Sequence, residues 1–265
     1  MLTMAVLNQK GGVGKTSTVL GLASALSQDP GPGGKSPDQV LVVDADPQAN
    51  ATAALLPNGL DPEAFTLNDI LEDTEDEGLA GQAIIKADWP GVNLIPAVLD
   101  LAARDGEAAA LGFEFRLRRA LTGLDGYPVV LVDCPPSLGK LVVNALVAAD
   151  QALIVTTAAA PSLMGVANVM KTISVVRQFY NPGLVVAGIV VNLLPAKQRE
   201  SEFRLAELLA DDEFGSLVWE PYVPARAIVA EAQGQGQPIH DYARGRDITA
   251  VYDALAARVL GLKTV

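Results

Sequence analysis

The sequence is poor in cysteine, in aromatic residues and in positive charge. Cys134 is the single cysteine among 265 residues, so we expect neither an internal disulfide nor a cysteine-based metal site. Phe, Trp and Tyr together make up 5% of the chain, and Ala, Val and Leu fill its apolar runs instead. Small aliphatic runs of this kind are typical of a parallel sheet that helices cover on both faces.

The shortage of positive charge bears on the choice of partner. The chain has 19 Lys and Arg against 31 Asp and Glu, a net charge of −12. Affinity for DNA comes largely from cations that neutralise phosphates, so this balance by itself argues against a nucleic-acid binder. The acidic residues are unevenly spread, however, which leaves room for a local basic patch. Eight acidic residues lie between Asp61 and Gly78: Asp61, Glu63, Asp69, Glu72, Asp73, Glu75, Asp76 and Glu77. We expect this stretch to cap the domain as short helices and loops.

Long hydrophobic runs are also missing. No apolar stretch reaches the roughly 18 residues that a membrane span needs. Met1–Leu7 enters a strand pattern directly, without a charged leader or a cleavage site. We therefore predict a cytoplasmic protein.

Short apolar runs of strand length alternate with helix-length segments along the whole chain. Such alternation predicts βαβ units, and hence an α/β fold with a doubly wound, mainly parallel sheet and helices on both faces. The Pro- and Gly-rich stretch Asp29–Pro37 is too short to separate domains, and we predict that it forms a surface loop. We therefore predict one domain over residues 1–265, without an N-terminal DNA-binding extension. The predicted strands are Leu2–Leu7, Val40–Val43, Val92–Ile95, Val129–Val132, Ala152–Val155 and Leu184–Val191.

A glycine-rich loop follows the first strand and precedes the first helix, which we expect to run to about Ser27. Glycines let the backbone turn tightly and point its N–H groups inward, which makes an anion cradle at a helix N-terminus. In such a loop Lys15 can reach the β- and γ-phosphates of a nucleotide, and the Thr16 hydroxyl can bind Mg²⁺. We predict nucleotide binding by Lys10, Gly11, Gly12, Val13, Gly14, Lys15, Thr16 and Ser17.

The start of this loop departs from the general P-loop pattern. That pattern has glycine at position 9, where this chain has Gln9 followed by Lys10. A second lysine is of little use to phosphates that Lys15 already contacts within the same subunit. Either Lys10 reaches a nucleotide held by a second subunit, or it is a solvated surface residue.

Aspartates follow two of the predicted strands. Asp44 and Asp46 come after the second strand, and Asp133 directly follows the strand Val129–Val132. The carboxyl ends of such strands form the sheet edge where α/β proteins bind ligands. If the second strand continues that far, its period of two points Asp44 and Asp46 the same way. Carboxylates here can hold the water shell of Mg²⁺ and orient an attacking water. Either aspartate motif alone could equally be a strand-end cap.

The three motifs together resemble the ParA/MinD family of deviant P-loop ATPases. They are Lys10-Gly-Gly-Val-Gly-Lys-Thr16, Asp44-Ala-Asp-Pro-Gln-Ala-Asn50 and Asp133-Cys-Pro-Pro-Ser137. Within the family the chain is most similar to ParA-type partition ATPases, through Asp46-Pro47-Gln48, Leu141-Val-Val-Asn-Ala-Leu146 and Gly236-Gln-Pro-Ile239. The resemblance covers nearly the whole chain.

The resemblance implies a slow, partner-stimulated ATPase that uses ATP with Mg²⁺ and forms an ATP-sandwich homodimer, in which Lys10 contacts the nucleotide of the partner subunit. It implies that Asp46 positions the lytic water, while Asp44 and Asp133 with Thr16 hold Mg²⁺, and that Lys15 and Lys10 also serve the reaction.

For the base, the resemblance implies that Asn192 lies near adenine and that Pro224 flanks it. A buried asparagine at a strand end and an ordinary loop proline are equally acceptable interpretations of these two residues.

The resemblance also implies that the ATP-bound dimer binds duplex DNA without sequence preference, that a ParB-type centromere-binding protein stimulates hydrolysis, and that the protein associates with the nucleoid. The chain departs from the family here, since Ala225 and Ile228 stand at positions that are usually basic. The remaining candidates for DNA contacts on the C-terminal half are Lys171, Lys197, Arg199, Arg204, Arg226 and Arg246.

Three other functions share the same switch. A MinD-like membrane-surface ATPase needs a C-terminal amphipathic helix with a basic face, and Ile248–Val265 offers Arg258 and Lys263 against Asp253. A relative of the nitrogenase iron protein needs several cysteines for its cluster. A relative that positions another cargo on the nucleoid cannot be separated from a partition ATPase by sequence.

Overall fold

In the described residues, eight strands form one sheet. The computed structural model describes residues 1–28, 40–72, 77–106, 111–159, 162–242 and 244–262, with the backbone alone for Ser162. The strands are β1 Leu2–Leu7, β2 Val40–Asp44, β3 Ile85–Lys86, β4 Val92–Ile95, β5 Val129–Asp133, β6 Gln151–Thr157, β7 Val185–Asn192 and β8 Val218–Trp219. Their order across the sheet is β3-β4-β2-β5-β1-β6-β7-β8, and all neighbouring pairs are parallel except β3–β4.

Helices cover both faces of this sheet. Within the described ranges, short 3-10 helices occur at Phe113–Phe115, Gly215–Leu217 and Ile239–Asp241. The α-helices are α1 Lys15–Gln28, α2 Asn50–Leu55, α3 Leu67–Glu72, α4 Ala80–Ala83, α5 Leu101–Gly106, α6 Arg116–Ala120, α7 Lys140–Ala148, α8 Ser162–Phe179, α9 Arg199–Leu209, α10 Ala227–Gly234 and α11 Arg246–Gly261. None of the helices in the described ranges is long and apolar enough to cross a membrane.

The sheet separates two hydrophobic cores, because alternate side chains of a strand point to opposite faces. In β1, Ala5 and Leu7 pack into the core beneath α7 and α8, whereas Met4 and Val6 pack into the core beneath α1 and α11. All six residues of β1 are buried. Burial on both faces explains why the strands read as continuous apolar runs rather than alternating ones.

The predicted α/β class with a mainly parallel sheet is confirmed. All six predicted strands are present, with ends that differ by at most two residues, and α1 ends at Gln28 rather than about Ser27. The acidic stretch includes α3, whose first turn is preceded by a cap in which the Asp69 carboxylate accepts bonds from the Thr66 N–H and hydroxyl, both 2.7 Å. Residues 73–76 of that stretch, the loop predicted at 29–37 and Lys263 lie outside the described residues.

Candidate functional site

The glycine-rich loop lies between β1 and α1, at the edge where the carboxyl ends of the central strands meet. Gly12 and Gly14 have φ angles of 74° and 85°, in the left-handed region that favours glycine. Helix α1 begins at Lys15, so the N–H groups of its first turn have no partner within the helix and are available to an anion. The loop thus has the form of a phosphate cradle.

Asn192, the last residue of β7, holds this loop in place. Its side-chain amide donates to the carbonyl oxygens of Val13 at 3.1 Å and Gly14 at 3.2 Å, and its Oδ1 accepts from the Leu193 N–H at 2.8 Å. A Cβ on Gly14 would lie 2.1 Å from the Asn192 amide nitrogen, so glycine is required there for space as well as for φ. Asn192 therefore contacts the loop itself, while its predicted position near adenine stays a prediction.

Asn8 anchors the other end of the loop, a role that the sequence analysis missed. Its side-chain amide donates to the Val155 carbonyl at 2.6 Å, and its Oδ1 accepts from the Lys10 N–H at 3.0 Å. The signal available in the sequence was a polar residue directly after a mostly apolar strand and shortly before the glycines. Asn8 therefore holds the start of the loop and Asn192 its end.

The two lysines of the loop lie in different environments. The side chain of Lys15 is buried, and this burial lowers its pKa, while the charges of Asp133 and Asp46 act in the opposite direction. Lys10 is exposed at the start of the loop. Lys15 is therefore placed to contact a ligand inside the cradle, and Lys10 is free to contact a group beyond it.

Asp44 and Asp133 lie side by side, because they occupy paired positions of the neighbouring strands β2 and β5. Both are fully buried. Burial raises the pKa of Asp44 to about 6, although its carboxylate accepts bonds from the N–H and the hydroxyl of Thr52, each 2.8 Å long. Burial, and then the charge of Asp44, raise the pKa of Asp133 well above its ordinary value. The pair thus places two carboxylates behind the cradle.

The donor set fits a hard divalent cation. Neither carboxylate oxygen of Asp133 has a full hydrogen-bond partner, and the nearby Thr16 hydroxyl and Lys15 offset its raised pKa only in part. A cation or its water shell would satisfy those oxygens and favour the ionised form. In the described ranges no cluster of three or more His, Cys, Asp and Glu side chains is arranged as a self-sufficient metal site. This agrees with Mg²⁺, which is usually held by one or two carboxylates together with substrate phosphates.

Asp46 does not continue the alternation of β2, so the condition for Asp44 and Asp46 to point the same way is not met. The strand ends at Asp44, and the chain then turns, with the Asp46 carbonyl accepting from the Ala49 N–H at 2.8 Å. Ala49 has a φ of 53°, a strained conformation for a residue other than glycine. The Asp46 side chain accepts from the Gln48 N–H at 2.9 Å and is 7% exposed. The turn, rather than strand periodicity, brings Asp46 to the mouth of the site.

Pro224 lies close to Asn192 in the fold. It forms an isolated parallel bridge with Leu194, whose N–H and carbonyl bond the Val223 carbonyl and the Ala225 N–H, each at 2.9 Å. The structure therefore brings the two predicted base contacts to the same end of β7.

The six candidate cations are distributed over four elements. Lys171 lies on α8, Lys197 and Arg199 flank the start of α9, and Arg246 is the first residue of α11. Two of the six are ion-paired: Arg204 bonds Glu200 and Glu207 at 2.9 and 3.0 Å, and Arg226 bonds Asp247 at 2.7 Å. The Arg226–Asp247 pair brings Arg226 beside Arg246. At the two departures, Ala225 is exposed and Ile228 packs against the core.

Comparison with known proteins relates this site to named relatives. The family described as an AAA domain matches residues 1–186. The chain is 35% identical over 240 residues to the chromosome partitioning protein ParA of Caulobacter vibrioides, which covers 89% of this chain and 85% of the relative. It is 36% identical over 257 residues to the chromosome-partitioning ATPase Soj of Thermus thermophilus, which covers 97% and 94%.

A solved structure matches over the full length. It is the crystal structure of cobyrinic acid a,c-diamide synthase from Mycobacterium smegmatis with bound ATP analogue and magnesium. Its TM-score is 0.79 at 31% identity, and the match covers 100% of this chain and 96% of that chain.

Proposed function

The chain belongs to the ParA-type partition ATPases of the ParA/MinD family, and from that premise we propose that it is an ATP-driven switch that dimerises on ATP, binds DNA without sequence preference and resets by slow hydrolysis. Its nucleotide is ATP with Mg²⁺. The observation that carries the proposal is the pairing of a buried lysine and two buried carboxylates inside the cradle with a second, exposed lysine outside it.

The residues of the cradle bind and orient the nucleotide. The N–H groups of the first turn of α1 and the Lys15 ammonium contact the phosphates, and Thr16 with Asp44 and Asp133 holds the cation. Mg²⁺ supplies positive charge that neutralises the phosphates. Asp46, at the mouth of the site, accepts a hydrogen bond from the attacking water and orients it.

Lys10 and its surroundings support a face-to-face dimer. Lys10 is exposed, so its ammonium is available to a group outside its own subunit. Beside it, the start of the loop and α8 enclose a groove of about 260 Å³, in which Asn168 donates to the Gln9 side chain at 3.0 Å and Met164 is 63% exposed. A second copy packed on this face brings its own Lys10 to the first subunit's phosphates, where the added charge offsets the repulsion between two nucleotides.

DNA binding is proposed for the ATP dimer because symmetry doubles the number of cations that face one duplex. Each phosphate contact steepens the salt dependence of binding by about 0.9 in log–log slope, so a monomer with few contacts is weak at physiological salt. Among the described candidates, Arg204 and Arg226 are ion-paired with acidic neighbours. The other four are exposed: Lys171, Lys197, Arg199 and Arg246. A ParB-type protein is the partner proposed to stimulate hydrolysis, and the nucleoid is the proposed location.

The name of the matched diamide synthase raises a second activity, amide formation. A thiolate nucleophile that released ammonia from an amide donor would have to be Cys134, the one cysteine of the chain. Cys134 is fully buried, and burial raises the pKa of its thiol, both of which disfavour the reactive thiolate. No other feature of the site favours this activity over the switch.

The decisive experiment compares wild type with Lys10→Ala in ATP, in ADP and without nucleotide. We expect wild type to elute as a dimer and to retard long duplex DNA in ATP alone. Lys10→Ala should bind ATP as a monomer and lose both properties. Lys10→Arg should also fail, because a planar guanidinium does not replace a compact ammonium in a tight interface. Normal dimerisation and turnover by Lys10→Ala would reject the sandwich, and a dimer that leaves DNA unretarded at low salt would favour another cargo.

A further inference from the structure

The residue that follows Thr16 contacts two helices from the other end of the chain. The Ser17 hydroxyl donates to Oε1 of Gln233 on α10 at 3.2 Å, and the Tyr252 hydroxyl on α11 donates to the Ser17 carbonyl oxygen at 3.3 Å. Ser17 lies in the first turn of α1, whose N–H groups form the cradle. The phosphate-binding turn is thus bonded directly to α10 and α11.

The far ends of these two helices are bonded to each other. Arg226 is the N-cap of α10, and its Nε donates to Oδ2 of Asp247, the second residue of α11, at 2.7 Å. An eight-residue helix spans about 12 Å, so Gln233 and Arg226 stand at opposite ends of a short rigid rod. One end contacts the nucleotide site, and the other carries a candidate DNA contact.

The two helices are anchored to different degrees. Helix α11 packs closely on α1, since a Cβ on Gly21 would lie 2.2 Å from the Tyr252 ring. Its buried residues are Ile248, Tyr252, Leu255, Ala256 and Val259. In α10, Ala232 is buried, and Ile228 and Val229 are partly buried against the core beneath α1 and α11. Helix α10 therefore buries less apolar surface than α11, and its position depends more on polar contacts such as the Ser17–Gln233 bond. Of the two helices, α10 is the one whose position responds more to the loss of such a contact.

We infer that Gln233 is a positioning residue that couples nucleotide binding at the phosphate loop to the position of α10 and of Arg226. The inference rests on the proposed ATP switch. Phosphates that order the first turn of α1 fix the Ser17 hydroxyl, which then holds Gln233 and sets the angle of α10. A ligand shifts an equilibrium only through a contact that differs between two states, and this hydrogen bond is that contact.

Coupling of this kind is reciprocal, so DNA bound at Arg226 raises the affinity for ATP by the same factor by which ATP raises the affinity for DNA. We expect a factor of about fivefold, at the lower end of the range for allosteric coupling. In this proposal Gln233 acts through Ser17 rather than by contacting nucleotide or DNA, which separates it from the binding residues.

The first test uses hydrogen exchange of the full-length protein with and without ATP and Mg²⁺, and needs no DNA. Gln233→Met keeps the volume of the side chain and removes the acceptor, and Gln233→Ala checks that the new side chain is not the cause. Gln235→Met is the matched control, because Gln235 is exposed and lies just past the same helix end. Gln233→Glu restores an acceptor oxygen.

We expect ATP to slow exchange in Ala227–Gly234 for wild type, Gln235→Met and Gln233→Glu, and to leave it unchanged for Gln233→Met and Gln233→Ala. The ATP affinity of these variants in the absence of DNA should change by no more than the coupling factor of about fivefold. Full ATP-induced protection in Gln233→Met would overturn the inference. The inference would also be overturned if ATP left hydrogen exchange in α10 of the wild type unchanged. It would be overturned as well if Gln233→Met bound ATP poorly, since the residue would then act in binding rather than in coupling.

The second test measures retention of duplex DNA in ATP and in ADP. We expect the ratio of DNA affinities to fall about fivefold in Gln233→Met and to stay at the wild-type value in Gln235→Met. A wild type that retains no DNA in any state contradicts the proposed DNA switch, while the exchange experiment still decides the role of Gln233.

Discussion

Residues 1–139 and residues 140–265 differ sharply in charge. The first region has 8 Lys and Arg against 19 Asp and Glu, a net charge of −11, whereas the second has 11 against 12, a net charge of −1. The net charge of −12 therefore says little about the surface that carries the candidate cations. Because salt screens charges over about 8 Å, a duplex responds to the cations beside it rather than to acid on a distant loop.

The two regions also differ in how their charges are placed. Lys15, Asp44 and Asp133, which lie at the candidate nucleotide site of the first region, are buried. The candidate cations Lys197, Arg199 and Arg246 of the second region are exposed, as is Lys10 of the first. Loss of a buried charged partner has a large effect, and loss of one exposed charge has a small one. The predictions below test this contrast from the largest effect to the smallest.

Lys15→Ala should show the largest effect. The buried ammonium is expected to contact the phosphates, and removal of one partner from a buried charge pair costs about 3 kcal/mol, so ATP affinity should fall about 100-fold or more. Equilibrium dialysis measures it, with Lys86→Ala, an exposed lysine on β3, as the control. Near-normal ATP affinity in Lys15→Ala would mean that the loop is not the phosphate site.

Asp46→Ala should separate binding from hydrolysis within the first region. Without the carboxylate that orients the water, turnover should fall by about 100-fold or more, while ATP still binds and the dimer accumulates. Phosphate release and gel filtration in ATP measure the two properties. Asp61→Ala removes an exposed carboxylate that caps its own turn, and should change neither. Wild-type turnover in Asp46→Ala would remove Asp46 from the mechanism.

Gly21→Ala tests the packing between the two regions. An added Cβ would lie 2.2 Å from the buried Tyr252 ring, and overpacking of this kind costs about 1–3 kcal/mol of unfolding free energy. A chain of this size should lose about 2–4 °C in Tm for each kcal/mol. Gly81→Ala, in α4 with nothing within 4 Å of its added Cβ, should be neutral or slightly stabilising. Equal Tm values for the two variants would contradict a tight α1–α11 contact.

Arg199→Ala and Arg204→Ala should give the smallest effects and differ from each other. Arg199 starts α9, whereas Arg204 is engaged by Glu200 and Glu207. If Arg199 contacts one phosphate per subunit, its loss should reduce the log–log salt slope of DNA binding by about 0.9 per contact, with little change for Arg204→Ala. Retention of DNA at several salt concentrations measures the slope. A larger loss for Arg204→Ala would show that its ion pairs open on DNA.

Asp247→Asn changes the same surface but should strengthen DNA binding rather than weaken it. Removal of the carboxylate that pairs with Arg226 should free the guanidinium, and DNA affinity should rise by a few fold, in line with the small value of an exposed ion pair. Weaker binding by Asp247→Asn would mean that the pair orients Arg226 rather than neutralises it.

The parts of the fold that were predictable are those with strong local patterns. The six longer strands and the glycine loop stand out because apolar runs and glycines carry their own signal. Strands β3 and β8 have two residues each, and Ile85-Lys86 has no run to detect, so their pairing depends on neighbours already in place. The turn that carries Asp46 was missed for a similar reason, since a left-handed alanine at position 49 contradicts local preference.

The long-range hydrogen bonds could not be predicted from the sequence. Ser17 and Gln233 are 216 positions apart, and no spacing rule connects a polar residue on a helix to one that distant. The ion pairs of Arg204 and Arg226 illustrate the same limit, because a list of basic residues contains no statement of which ones an acidic neighbour engages. Motifs predicted what the site contains, and the structure was needed for what supports it.

The clamp that Asn8 and Asn192 apply to the loop has a consequence for nucleotide discrimination. Residues 10–14, which these two side chains hold, are preorganised, so they accept the phosphates that ATP and ADP share without losing entropy to fold around either, whereas the first turn of α1 lies outside this clamp. Calorimetry should then show that the loop contributes similarly to the binding free energies of ATP and ADP. A rigid receptor that takes both cannot report which one is present, so the distinction between ATP and ADP falls to residues that meet the terminal phosphate outside the clamp.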